Sequence, residues 1–162
     1  MSEINSNSLL KGWVTEIIIN APQQLVWNKI VDFEAYKNWN PFMLEAKAEL
    51  KVSSYICFLE DLKEFGQHWL TAKFLTIQEP NELVWQGNFR ADFLFKVRHS
   101  FKLESIDEQQ TRLIHSHKHT GILRLYLAYR GVFQVSRQGY ILYNEALKKL
   151  CEEHYINKTV LS

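Results

Sequence analysis

Thr111-Arg112-Leu113-Ile114-His115-Ser116-His117-Lys118-His119-Thr120, running through Gly121 into a long segment that reaches Tyr155, is the stretch on which the fold turns. Alternation at period two puts Leu113, His115, His117 and His119 on one face of a strand, with Arg112 and Lys118 on the other. From Ile122 the period changes to 3.6, and Leu125, Tyr129, Val132, Ser136, Tyr140, Tyr143, Leu147 and Leu150 fall on one helical stripe. A helix of that extent spans roughly 50 Å, enough to cross a whole sheet. Gly131 and Gly139 interrupt it at a cost of about 1 kcal/mol each relative to alanine, which predicts a bend, a break or a close approach to another element.

The preceding segment, 93–104, alternates in the same way. A hairpin centred near Asp107-Glu108 sets His99 opposite His117 and Phe101 opposite His115. On the other face it pairs Glu104 with Arg112, Ser100 with Ser116 and, unfavourably, Arg98 with Lys118. Lys96, Arg98, Lys102, Arg112 and Lys118 mark that even-numbered face as the solvated one. The odd face, carrying Phe93, Phe95, Val97, His99, Phe101 and Leu103, therefore looks toward the long helix.

Further strands are expected at about 44–51, 54–62, 67–78 and 82–89, punctuated by Glu79-Pro80-Asn81-Glu82. Ahead of them, Trp13 to Asn20 reads as a strand ended by Ala21-Pro22. Pro22 suits a first helical turn, and Leu25, Val26, Trp27, Ile30 and Phe33 continue at helical spacing over roughly 22–32. A second short helix around Glu34 to Asn38 stops before Pro41, which leaves Trp39-Asn40-Pro41-Phe42 as a turn carrying two large aromatics. The order predicts an α+β domain: a curved seven-stranded antiparallel sheet, two short helices after the first strand, and a long C-terminal helix over a cavity.

With 162 residues, 46% of them hydrophobic and 14% aromatic, the chain supports one well-filled core. A loose start over 1–10, a single domain over 11–156 and a short tail over 157–162 are expected. The 19 basic and 18 acidic residues nearly cancel, so no global field points to nucleic acid. Two cysteines, Cys57 and Cys151, make no disulfide framework, and no leader or run of eighteen apolar residues is visible. A cytoplasmic protein without stable membrane insertion is the expectation.

Ile19-Asn20-Ala21-Pro22 followed by Val26-Trp27 and Trp39-Asn40-Pro41-Phe42 resembles the START-like, helix-grip SRPBCC superfamily in its polyketide cyclase/dehydrase-like branch. Glu82-Leu83-Val84-Trp85-Gln86-Gly87, His99-Ser100-Phe101-Lys102-Leu103-Glu104, Thr111-Arg112-Leu113-Ile114-His115, Gly121 and Asn144-Glu145-Ala146-Leu147-Lys148 extend the resemblance over 13–152. It implies the helix-grip fold and a deep pocket for an apolar lipid- or polyketide-like molecule. The chain departs from the pattern at His117 and His119, where such proteins typically carry a glutamate and an apolar residue.

The candidate ligand-binding residues are Trp39, Phe42, Trp85, His99, Phe101, His115, His117 and Tyr143. Inward-facing imidazoles need partners, and Tyr129, Tyr140 and Tyr143 are the hydroxyls at hand. Histidines on adjacent strands could also share a transition metal, but no cysteine or carboxylate clearly completes the ligand shells, so neither metal nor cofactor is expected. There is no nucleophile elbow, phosphate-binding glycine loop or paired-carboxylate signature. Binding or carriage of an apolar small molecule is the leading expectation. The alternatives are a cyclase or dehydratase using pocket His and Tyr as acid and base, and a partner-binding module similar to chaperone-ATPase activators, whose protein partner the sequence does not name.

Overall fold

The computed structural model describes residues 9–160, with side chains through 158. Residues 1–8 of the expected loose start and the last two of the expected tail lie outside it. Leu9 already packs into the core. The chain runs β1 (Gly12–Ile19), α1 (Gln23–Val31), a 3-10 turn (Phe33–Ala35), α2 (Tyr36–Trp39), β2 (Met43–Ala48) and β3 (Tyr55–Asp61). A second 3-10 turn (Lys63–Phe65), β4 (Gln67–Gln78), β5 (Glu82–Asn88), β6 (Lys96–Ser105), β7 (Thr111–Thr120), α3 (Leu123–Tyr129) and α4 (Val132–Val160) complete it.

All seven strands join one antiparallel sheet in the order β1-β7-β6-β5-β4-β3-β2. The first strand thus closes on the last, and β2 lies at the opposite edge. Register shifts between Met43 and Glu45 and between Phe74 and Thr76 bend the sheet, as an extra residue in one strand does. The β6–β7 register sets His99 opposite His117, Phe101 opposite His115 and Arg98 opposite Lys118. Alternation within β7 is complete, with Leu113, His115, His117 and His119 buried.

Pro22 stands just before α1, at φ −59°, where its missing N–H leaves no helical bond unmade. The turn after α2 is built by Asn40, whose Oδ1 accepts from the backbone N–H groups of Phe42 (3.0 Å) and Met43 (2.9 Å). Val26, Trp27, Ile30, Phe33 and Tyr36 deliver the two short helices into the core. The long helix divides at Gly131, whose φ of +81° a residue with a Cβ adopts only at a cost. Beyond the break, Phe133, Tyr140, Tyr143, Leu147 and Cys151 are buried against the sheet.

Two expectations need correction. Phe93 is 68% exposed, because β6 begins only at Lys96 and residues 91–94 fold into a turn closed by Leu94 N–H donating to Ala91 O. The apolar stripe also fails N-terminal to Gly131: Leu125 and Tyr129 are 60% and 87% exposed, so Tyr129 is no partner for the histidines. The break at Gly131 separates α3 from the helix whose phase the stripe was following.

Candidate functional site

Between the concave face of the sheet and the helices α3 and α4 lies a cavity of about 560 Å³. Its walls are mostly apolar: Phe58 and Ala72 from β3 and β4, Trp85 from β5, Val97 from β6, Leu127 from α3 and Phe133 from α4. Trp69 and Phe89, 54% and 53% exposed, stand at its rim. The polar groups on its wall include Glu60, His99, His117, His119, Ser136 and Tyr140. Such a pocket, apolar with a few convergent polar groups, is the usual form of a small-molecule site.

His99, His115 and His117 are buried side by side, and each offers a ring nitrogen within 4.8 Å of those of the other two. Hydrogen bonding orders their protons. Thr15 Oγ1 donates to His115 O, so Asn144 Nδ2 donates to Thr15 Oγ1 (2.9 Å) and Asn144 Oδ1 accepts from His115 Nδ1 (2.7 Å). His115, holding its proton on Nδ1, accepts through Nε2 from His99 Nε2 (2.5 Å). His99 then accepts through Nδ1 from His117 Nε2 (3.0 Å). Three neutral imidazoles thus point their N–H groups away from His117, whose Nδ1 is left as an acceptor.

The neutral form follows from the surroundings. Burial holds His115 down to about 3, against an upward pull from the Asn144 bond. Burial, then the nearby His117 and His115, depress His99 well below the usual histidine value, and burial likewise depresses His117. His119, stacked on Phe133 at 4.0 Å with Nδ1 donating to Leu9 O at 3.3 Å, is pushed by burial to about 4. Trp13 stacks on His117 at 4.2 Å and covers it from β1.

Glu60 lines the same cavity. Burial raises its carboxyl to about 7, and the hydrogen bond donated by Tyr140 OH pulls the other way. The Tyr140 ring also contacts His99 at 4.9 Å and His117 at 4.4 Å, so one side chain joins the carboxyl to the imidazoles. A carboxyl that changes charge near neutrality beside neutral imidazoles can donate to, or accept from, a bound hydroxyl or carbonyl.

Of the residues singled out from sequence, Trp85, His99 and His117 lie on the cavity wall. Phe101, His115 and Tyr143 pack together behind them, with His115 at 4.2 Å from Phe101 and 5.5 Å from Tyr143. Tyr143 donates to Tyr36 OH at 2.9 Å, since the Tyr36 hydroxyl gives its own proton to Ile30 O at 2.6 Å. Trp39 and Phe42 do not line the cavity. Trp39 packs on Tyr36 and Tyr143, and Phe42 is a core plug under α4 at 4.7 Å from Tyr140. Sequence reasoning missed Glu60 and Asn144. Both carried a signal: Glu60 follows Ile56 and Phe58 at period two, and Asn144 sits four residues after Tyr140 on the same helical face.

A seven-stranded curved sheet closed on a long C-terminal helix over a cavity is the helix-grip architecture of START-like proteins. The chain belongs to the Activator of Hsp90 ATPase homolog 1-like protein family, whose profile matches residues 20–151. Comparison with curated proteins gives no match. Among solved structures, the Zhui aromatase/cyclase from Streptomyces sp. R1128 superposes with a TM-score of 0.72 at 13% identity, covering 88% of this chain and 93% of its own. A START superfamily protein from Mycobacterium smegmatis gives 0.71 at 15% identity, covering 88% and 98%. The hypothetical protein jhp0584 from Helicobacter pylori gives 0.70 at 17%, covering 86% and 87%. At these identities the likeness is one of fold. No helix among the described residues is long and apolar enough to cross a membrane.

Proposed function

We propose that the protein binds and carries an apolar small molecule, lipid- or polyketide-like, that bears one polar end. The observation that carries this reading is the cavity of about 560 Å³, apolar over most of its wall and polar where Glu60, Tyr140, His99 and His117 meet. That volume falls within the range of pockets that enclose small ligands. Apolar burial supplies affinity, at about 25 cal/mol per Å² removed from water. The polar wall supplies orientation: the free acceptor on His117 suits a hydroxyl, and the Glu60 carboxyl, raised by burial to about 7, suits a hydroxyl when ionised and a carbonyl when protonated.

Native mass spectrometry of the protein purified from its expression host, compared with the denatured mass, tests the reading. A mass increment lost on denaturation, and recovered in an organic extract as an apolar compound, is the expected result. A bare mass that stays bare after incubation with such an extract overturns carriage. It would turn attention to the outer surface and to the chaperone-ATPase contact for which the family is named, or to turnover of a weakly held substrate at Glu60 and Tyr140.

A further inference from the structure

We infer that His99, His115 and His117 form a three-nitrogen site for a divalent first-row transition metal, zinc being the ion such a set suits best. The three side chains come from directly neighbouring strands in a fixed register, His99 opposite His117 and His115 two residues along the same face. One ring nitrogen from each lies within 4.8 Å of the others, and all three residues are buried. Coordination at about 2.0–2.1 Å to a common tetrahedral ion separates ligand nitrogens by roughly 3.3 Å. His99 meets His115 through Nε2 at 2.5 Å and His117 through Nδ1 at 3.0 Å and can give the ion only one of these nitrogens, so the set, spread over up to 4.8 Å, reaches that spacing with shifts of up to about 1.5 Å as the rings turn to the ion.

In the sequence alone, no cysteine or carboxylate completes the shells around the three ligands. The fold supplies the missing part. Asn144, from α4, accepts the Nδ1 proton of His115 at 2.7 Å and is itself held by Thr15. A carbonyl oxygen on the far nitrogen of a ligating imidazole fixes its tautomer and leaves Nε2 free to coordinate. Glu60, on the same cavity wall as His99 and His117, brings the only carboxylate among the described lining residues and offers charge against a dication. His99 and His117 line the cavity while His115 stands behind them, so the open side of the triad is the cavity itself. A three-histidine set with one open position is the arrangement by which zinc accepts water or an oxygen of a small ligand.

This inference stands apart from the carriage reading, and its test uses metal alone. The full-length protein, stripped with a chelator, is titrated with Co²⁺ and with Zn²⁺. The expected result is one equivalent bound with Kd below about 1 µM, with visible absorption characteristic of tetrahedral cobalt that zinc abolishes. His99→Ala and His117→Ala are expected to remove the spectrum. Asn144→Ala, which keeps all three ligands, is expected to weaken zinc by about 10–100-fold. His68→Ala and His154→Ala, changing exposed histidines, leave binding unchanged. Circular dichroism on each variant, with the wild-type spectrum needing no variant at all, separates loss of the site from loss of the fold. Absence of a tetrahedral cobalt spectrum in the wild type, or binding abolished by the surface pair rather than by the cluster, overturns the inference.

Discussion

The metal-free protein is expected to lose about 3 kcal/mol of unfolding free energy between pH 7 and pH 5.5, read as a fall in the urea midpoint. Four buried histidines drive the loss. His115 and His119 are held at about 3 and about 4, and His99 and His117 well below the ordinary value, all with burial as the leading cause. Their folded values lie below their unfolded ones, so below pH 6.5 the unfolded chain takes up protons that the folded chain refuses. Each then costs on the order of 1 kcal/mol by pH 5.5, so the four together cost several. Glu60 acts in the opposite direction. Raised from 4.5 to about 7, it binds a proton in the folded state first, so its contribution strengthens as pH falls through 7 and returns on the order of 1–2 kcal/mol. A midpoint that stays flat or rises over that interval would show that these imidazoles are not buried neutral.

Gly139→Ala is expected to destabilise the fold by about 2–3 kcal/mol, although helix propensity alone would make alanine better there by about 1 kcal/mol. A Cβ at Gly139 would stand 2.1 Å from Phe42 Cδ2 and 2.3 Å from Cε2. The ring has nowhere to go. Phe42 is 1% exposed, lies 4.7 Å from Tyr140, and its backbone is tied to Asn40 Oδ1. The sign of the effect therefore distinguishes a packed crossing from a solvated helix. Adding Phe42→Leu to Gly139→Ala is expected to recover part of the loss in a non-additive way, because both changes act on one contact. Thermal denaturation measures both. A more stable Gly139→Ala protein would contradict the close approach.

Strong periodicities made much of the architecture legible. A hairpin centred near Asp107-Glu108, with the alternation from Leu113 to His119 and the polar pairs Glu104–Arg112 and Ser100–Ser116 in agreement, gives the β6–β7 register as it stands. Gly131 and Gly139, poor helix formers in an apolar stripe, marked an irregularity without saying which kind; the structure puts a break at the first and a close approach to Phe42 at the second. The segment 91–95 misled because Phe93 and Phe95 extend an alternation that the chain abandons in a turn, and alternation alone does not say where a strand starts. Leu125 and Tyr129 misled because a stripe counted through Gly131 assumes one unbroken helix.

The site was half legible. His99, His117 and Trp85 lie on faces that their strands' own alternation identifies. Trp39 and Phe42 were marked by size and by their place in a turn, and neither property tells a cavity wall from a core plug. Asn144 and Thr15 were not readable as partners of His115, because α4 meets β1 and β7 only in the folded chain and no local pattern encodes that crossing. Glu60 was passed over as a charge among strand residues, although its phase matched Ile56 and Phe58. A carboxyl in phase with an apolar face is a signal in its own right, since burial without a partner would cost several kcal/mol.

Gly87 offers the most direct test of the cavity. It lines the wall, and a Cβ there meets nothing closer than the Thr71 carbonyl oxygen at 3.4 Å, with Val97 and Ala72 side chains beyond. Gly87→Leu should therefore fill part of the cavity while leaving the thermal midpoint nearly unchanged. The measurement is a titration with 2-naphthol, an apolar probe with one hydroxyl, followed by quenching of tryptophan fluorescence, to which Trp85 on the wall contributes. Saturable binding by the wild type, weakened at least about tenfold in a folded Gly87→Leu protein, is the predicted result, a difference of about 1.4 kcal/mol. Equal binding by the two proteins, or none by either, would contradict an account that places the ligand in this cavity.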